Sequence, residues 1–561
     1  MSTNVSRDLP AGRVRSGPTA LGRTARLLDY EGILARTPEL AWTRNLLLRW
    51  TAPRPHPLDD VRRAARLLAE RHEVLRSTFH GTSGASPVQV VHPYDESVAL
   101  SVELDPAPTP GDDTGTGTGA GSGTGDDVEG GAARRPEARI FAIDQAPPLR
   151  FHLRGHDGEV TEIVLVAHHI ALDVTAARIV LRELAAVLDS GPDAFDSLPA
   201  PVQPIEVARE QAARDGTAPL ARWDRFVRAV PPTPMPLIGP AGPGRAHLAQ
   251  YVSPGLGGAL AAVARDHQLL PAQVLLAVFA GAVAERTGVP DVAVGVISAN
   301  RFSYPAAVHC CAPRVPVVVP CEGAEDLPEL LGRVRALTPE LAANADHDVR
   351  LVRRMQEEEH LRSGHNTLIR IGFNFLSRRP PRTGSRSAAG PGGFSYGPAE
   401  ASDPCLLYFE ARYRGPSAAV ALALEAGDSL LPPAAAEELV RSVEHRLGRL
   451  AEGKPVRLPA ATGPAGHGGG RPVRYRRGLV DLDRTRDAVR AATGLPVTVA
   501  LEDMAGGAAQ ELTAYVGRPL DAGWLAAVRG RLAEAARLDP ALVVPSRYRS
   551  GRPAAGPEPG P

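Results

Sequence analysis

Hydrophobic and polar positions recur along this chain with two periods. In LDDVRRAARLLAERHEVLRSTF, starting at Leu58, Val61, Ala64, Ala65, Leu67 and Leu68 form one apolar stripe, the spacing of an amphipathic helix. LGGALAAVARDHQLLPAQVLLAVFAGAVAERTG is apolar at helical spacing on both sides of Leu270-Pro271. Proline has no N–H to donate and clashes with the preceding turn, so this stretch reads as two helices. Ala176, Ile179, Val180, Leu184 and Val187 mark another helix. VALSVEL, EIVLVAHH, DVAVGVIS, RVPVVVP, LIRIGFNFL and SAAVALALEA are short apolar runs that read as strands. Helices and strands alternate to about residue 453, which predicts an α/β class with mixed sheets.

Three stretches break this pattern. The Gly/Thr/Asp tract 108–136 cannot bury a face and is expected to be disordered. Ser377 to Gly393 reads as a flexible insertion, and Leu458 to Pro472 as an interdomain linker. Residues 1–17 and 549–561 are expected to be disordered ends. A chain of 561 residues exceeds one core and implies two to four domains.

Composition narrows the function. Lys+Arg and Asp+Glu both total 63, so there is no basic surplus for a broad nucleic-acid surface. Lys454 is the single lysine, which excludes a G-x-x-x-x-G-K-[ST] phosphate loop and argues against a Schiff-base lysine. Cys310, Cys311, Cys321 and Cys405 lack C-x-x-C spacing and read as reduced thiols of a cytoplasmic protein. No apolar leader core and no run of about 18 apolar residues occurs, so a soluble chain without membrane contact is expected.

The chemistry concentrates at His168-His169, where the run EIVLVA ends, with Asp173 four residues after the second histidine. Neighbours on a strand point to opposite faces, so the two imidazoles are not expected to share a site, and a metal site is not expected here. On spacing alone, two satisfied polar groups at a strand end and a helix-capping aspartate explain the residues equally well.

His168-His169-Ile170-Ala171-Leu172-Asp173 is similar to the HHxxxD motif of nonribosomal peptide synthetase condensation domains. Further segments resemble that family in order: PTALGRTARLLDY, RHEVLRSTF, PVQVVHP, PPLRFHL, PIEVAREQ, LLAVFAGAVAERTGVPDVAVGVISANR, VHCCAPRVPVVV, IGFNF and SDPCLLYFEAR. The resemblance spans about Pro18 to Gly453. It implies an α/β fold of two chloramphenicol-acetyltransferase-like lobes, 18–205 and 206–457, forming a pseudo-dimer around a tunnel. It also implies a condensation enzyme that joins a carrier-bound acyl or aminoacyl thioester to an amine, or to an alcohol. Such an enzyme has no cofactor of its own, because phosphopantetheine arms arrive on acyl or peptidyl carrier proteins in trans.

By the same resemblance His169 is the catalytic imidazole and His168 is structural. Asp173 organises the loop by pairing with an arginine from a distant strand, for which Arg301 of SANR is the candidate. Three departures stand out: Val174 replaces the family's glycine and is a candidate channel-lining residue, Arg23 stands where many members carry glutamine, and VHCCAP lacks a glycine before its cysteines. Cys310 and Cys311 read as small buried residues; an acyl-cysteine role would need a base near them, and the sequence reading assigns none. Two other functions remain open: a catalytically silent platform that recruits carrier or tailoring proteins, and an epimerase, which needs a second acid/base group that the sequence does not identify.

Residues 473–548 resemble the small C-terminal subdomain of adenylation enzymes, through Leu479-Val480-Asp481-Leu482, Leu512-Thr513-Ala514-Tyr515-Val516 and Pro545. That family's catalytic lysine has no counterpart in SRYRSGRP. The piece is expected to be a docking or lid-like α/β module, one that could contact other synthetase subunits.

Overall fold

The computed structural model describes residues 15–18, 41–42, 44–80, 87–93, 101–106, 140–213, 217–230, 246–287, 291–301, 303–345, 347–364, 367, 369–376, 394–398, 407–414, 419–427, 431–458, 473–475, 478–503, 510–539 and 542–551. The expected tract 108–136, the insertion 377–393, Arg23, Cys405 and nearly all of the linker 458–472 lie outside them. Two compact units emerge. One lies within Met1–Asp215 and Ala299–Pro313, the other within Gly216–Ser298, Arg314–Arg379 and Ser387–Pro561. The sequence placed 299–313 in the second lobe; it belongs to the first unit, held there by hydrogen bonds set out below.

The first unit carries two sheets. Strands β1 (Arg15–Pro18), β3 (Ser77–His80) and β4 (Val88–Val91) form one, with β4 in the middle. Strands β2 (Asn45–Pro57), β5 (Ser101–Pro106), β6 (Leu149–His156) and β7 (Glu159–His168) form the other, ordered β2-β7-β6-β5. Ile163 to Ala167 are fully buried, so both faces of β7 are covered, as its unbroken apolar run requires. Helices α1 (Leu58–Arg71) and α2 (Val174–Ser190) contribute Val61, Ala64, Leu68, Ile179, Val180 and Leu184 to the same core.

β1 corrects the expectation that residues 1–17 are disordered throughout. Arg15 to Pro18 pair with β4, and Arg15 forms an ion pair with the buried Glu73. Gly17 leaves room for Ile205 of α3 (Pro204–Ala213), where an added Cβ would lie 2.9 Å from the isoleucine.

The second unit is built on a seven-stranded mixed sheet, ordered β10-β9-β11-β13-β14-β8-β12. Its strands are β8 (Ala246–Ser253), β9 (Asp291–Ile297), β10 (Arg314–Pro320), β11 (Ile371–Leu376), β12 (Phe394–Pro398), β13 (Leu407–Arg414) and β14 (Ala419–Gly427). Helix α4 (Thr217–Ala229) precedes β8. The chain then breaks between α5 (Leu256–Asp266) and α6 (Pro271–Thr287) at Leu270-Pro271. Helix α6 is apolar all round because it is buried, and Phe279 stacks on Phe409 at 4.6 Å between ring centroids. Helices α7 (Leu327–Ala336), α8 (Thr338–Asn344), α9 (Val349–Ser363) and α10 (Pro433–Ala451) complete this part.

Strands β15 (Val473–Tyr475) and β16 (Gly478–Val480) lead into α11 (Leu482–Thr493). Strands β17 (Val497–Asp503), β18 (Gln510–Val516) and β19 (Arg547–Ser550) then pack with α12 (Ala522–Leu538) around Val489, Val516, Val528 and Leu532. β19 corrects the expected frayed tail at 549: Arg549 and Ser550 pair in parallel with Tyr515 and Val516. The module is also fastened to the sheet-bearing part of its own unit. Val544 N–H donates to the carbonyl of Gly364 at the end of α9, at 2.8 Å. Among the described residues no single helix is long and apolar enough to cross a membrane.

Candidate active site

β7 ends on His168, which sits opposite Asn45 of β2, and His169 occupies a turn beyond the strand. The two histidines are therefore separated by the end of the strand as well as by its alternation. Backbone bonds pin both: His168 N–H donates to Pro148 O at 2.8 Å, and His169 N–H to Arg44 O at 2.7 Å. Ala171 N–H closes the turn onto His168 O at 2.9 Å.

The two imidazoles sit in different environments. His168 is 1% exposed, and burial, reinforced by the positive charge of Arg44, pushes it down to about 3. Its Nδ1 accepts from Ile170 N–H at 3.1 Å, so the neutral ring carries its proton on Nε2. A ring this hard to protonate is a poor proton acceptor near neutrality, and its orientation is fixed. His169 is half-buried, and its Nδ1 lies 3.8 Å from the Sγ of Cys310.

Asp173 ends the turn and caps α2, its Oδ1 accepting from Ala176 N–H at 2.8 Å. The same carboxylate meets Arg301, whose guanidinium donates to Oδ1 at 2.6 Å, and both side chains are under 10% exposed. Asn300 takes a left-handed backbone, φ 45°, just before Arg301, a conformation asparagine tolerates better than most residues. Arg301 further donates to Ala307 O at 2.5 Å and His309 O at 3.0 Å. Cys311 N–H donates to Asp173 Oδ2 at 2.9 Å, and Cys310 N–H to Ala171 O at 3.0 Å. Segment 307–311 is thus laid along the histidine turn, and Val308 is buried in the first unit's core.

This placement overturns one expectation. The sequence reading assigns no base to the cysteines, yet Cys310 Sγ lies 3.8 Å from His169 Nδ1, and Cys311 Sγ lies 3.5 Å from His309 Nε2. For His309 the signal is direct, since it precedes Cys310 in VHCCAP; for His169 it is indirect, because once Arg301 pairs with Asp173 the residues that follow must run past the turn. Val174 is the first residue of α2 and half-buried, so its backbone is helical and needs no glycine. Among the described residues, no three His, Cys, Asp or Glu side chains are grouped as metal ligands would be.

Residues 54–380, more than half of the chain, match the family model for the Condensation domain. The chain belongs to the condensation domain family. This condensation domain is similar to nonribosomal peptide synthetase agiA of Aspergillus flavus, 27% identical over 260 residues, which are 44% of this chain and 3% of that protein. The chain spans between 3% and 29% of the length of the curated relatives it matches. Two solved structures share its fold. The condensation domain responsible for chain release from the enacyloxin polyketide synthase is 22% identical, with a TM-score of 0.56, covering 80% of this chain and 85% of that one. The X-domain from teicoplanin biosynthesis, solved in complex with OxyB, is 19% identical, with a TM-score of 0.55, covering 81% and 98%. Condensation domains work with carrier proteins that bear phosphopantetheine.

Proposed function

We propose that this condensation domain joins a carrier-bound acyl or aminoacyl thioester to an amine, with an alcohol acceptor as the lesser variant, in the biosynthesis of a nonribosomal peptide or hybrid natural product. One observation carries the reading. Of two adjacent imidazoles, His168 is buried, neutral and locked, while His169 is half-buried on a turn braced by the Asp173–Arg301 pair. His169 takes the proton of the attacking amine, or holds that amine in line as charge develops at nitrogen. The carbonyl carbon of the thioester gains the new bond, and the phosphopantetheine thiol leaves with a proton. Asp173 and Arg301 hold the turn and do not touch substrate.

A general base contributes about 10²–10⁴-fold, and alignment of two tethered substrates contributes in addition. His169→Ala therefore lowers the rate by about that factor without abolishing reaction. The test mixes carrier proteins loaded with candidate donors and acceptors with native protein or His169→Ala, and follows released product by mass spectrometry. Equal product from both removes the assignment.

Val174 favours a second reading, a catalytically silent platform that recruits carrier or tailoring proteins, since a β-branched residue fills space that a glycine leaves open. A protein of this fold, the X-domain from teicoplanin biosynthesis, forms a complex with a second protein, OxyB. No turnover by the native protein and its appearance in Val174→Gly supports this reading. The C-terminal module is proposed to dock other synthetase subunits, and it supplies no adenylating lysine.

A further inference from the structure

We propose that Cys310 is a positioning residue: its sulfur holds the His169 ring as the Nδ1–H tautomer, which leaves the Nε2 lone pair free to accept a proton. The inference deepens the reading of His169 as the imidazole that handles the amine, and it rests on that reading.

The placement of the thiol follows from backbone anchors on both sides. Cys310 N–H donates to Ala171 O, within the histidine turn, at 3.0 Å. One residue on, Cys311 N–H donates to Asp173 Oδ2 at 2.9 Å, and Arg301 joins Asp173 Oδ1 to the carbonyl of His309. Residues 309–311 and 169–173 are thereby held in one register. Cys310 has 0% exposure, so its sulfur cannot swing away to solvent. Within that frame Sγ lies 3.8 Å from Nδ1 of His169.

In a neutral imidazole one nitrogen donates and the other accepts, and the partner of one nitrogen decides which form is present. Free imidazole side chains prefer the Nε2–H form, whose Nε2 cannot accept a proton. A sulfur acceptor at Nδ1 favours the opposite form. A sulfur hydrogen bond is weak, so the effect falls in the lower part of the range of ordinary hydrogen bonds, about two- to fivefold in the tautomer ratio. A bond from a carboxylate would act more strongly, but Asp173 is engaged with Arg301, Ala176 and Cys311.

The test labels histidine with ¹⁵N in the full chain and reads the tautomer from long-range proton–nitrogen correlations, with the His169 signals assigned by their loss in His169→Gln. The expected native form is Nδ1–H. In Cys310→Ala the ratio moves about two- to fivefold toward Nε2–H, and kcat falls by a similar factor while the acceptor KM stays unchanged. Cys311→Ala, an adjacent buried thiol whose sulfur faces His309, leaves the His169 tautomer as it was. The Nε2–H form in native protein overturns the inference even if Cys310→Ala fails to fold. An unchanged ratio in Cys310→Ala, or an equal shift in both cysteine variants, overturns it as well. Native-like turnover by His169→Ala retires the amine-handling reading instead, and leaves the tautomer result standing.

Discussion

Replacing Asp173 with alanine removes one carboxylate that serves three partners. Oδ1 accepts from Arg301 at 2.6 Å and from Ala176 N–H at 2.8 Å, and Oδ2 accepts from Cys311 N–H at 2.9 Å. Stranding the buried Arg301 charge costs about 3–5 kcal/mol. Loss of the cap on α2 costs about 1 kcal/mol, and an orphaned Cys311 N–H about 1–3 kcal/mol. The three terms share one group and do not add in full, so the expected loss is about 5 kcal/mol. Asp173→Asn retains an acceptor for the cap but not the charge, and should lose less. Arg301→Ala combined with Asp173→Ala removes both charges, so the double variant should be more stable than the sum of the singles implies, by about 2–3 kcal/mol. Urea unfolding, read locally by hydrogen exchange in β7 and α2, measures each value. A loss below about 1 kcal/mol for Asp173→Ala, or strict additivity in the double variant, refutes the reasoning.

Acidification should weaken the first unit through His168. Its folded value of about 3 lies below the unfolded value of about 6.5, so between these pH values the unfolded chain binds the extra proton. The stability contributed by the neutral ring is full above about pH 6.5 and is lost as pH falls toward 3, amounting to about 2 kcal/mol between pH 7 and pH 5. His168→Asn keeps an acceptor for Ile170 N–H and should flatten this part of the pH–stability curve; an equal slope in both proteins counts against the assignment. Gly364 has φ 76°, and an added Cβ would lie 1.7 Å from Val544 O. Gly364→Ala, strained by about 1–2 kcal/mol in the left-handed region alone, should loosen the C-terminal module. Faster proteolysis near residue 458 checks this, and an unchanged cleavage rate denies it.

Legibility followed the strength of local patterning. The helix break at Leu270-Pro271 and the strand ending at His168 were readable because long apolar runs meet a proline or a polar pair there. β1 and β19 were not, because RSGP and RYRS carry no apolar alternation and exist only through pairing with β4 and β18. The course of 299–313 into the first unit was legible only at Arg301, which the HHxxxD resemblance pairs with Asp173; the rest carries no local pattern. Its anchors are one backbone bond to Ala171, a Cys311 N–H bond to the Asp173 carboxylate and an ion pair to the same carboxylate, over a hundred residues away. HHxxxD pointed to His169 and Asp173, but it carried no information about a sulfur beside the ring.

The central claim is that His169 handles the acceptor amine, and a single-turnover measurement addresses it most directly. Donor and acceptor carriers are loaded, mixed with excess native protein or His169→Ala, and quenched on the timescale of one bond-forming event. Matched unfolding midpoints establish that both proteins are folded. The account expects the rate constant of the variant to fall by about 10²–10⁴. Equal rate constants from two equally folded proteins would contradict it.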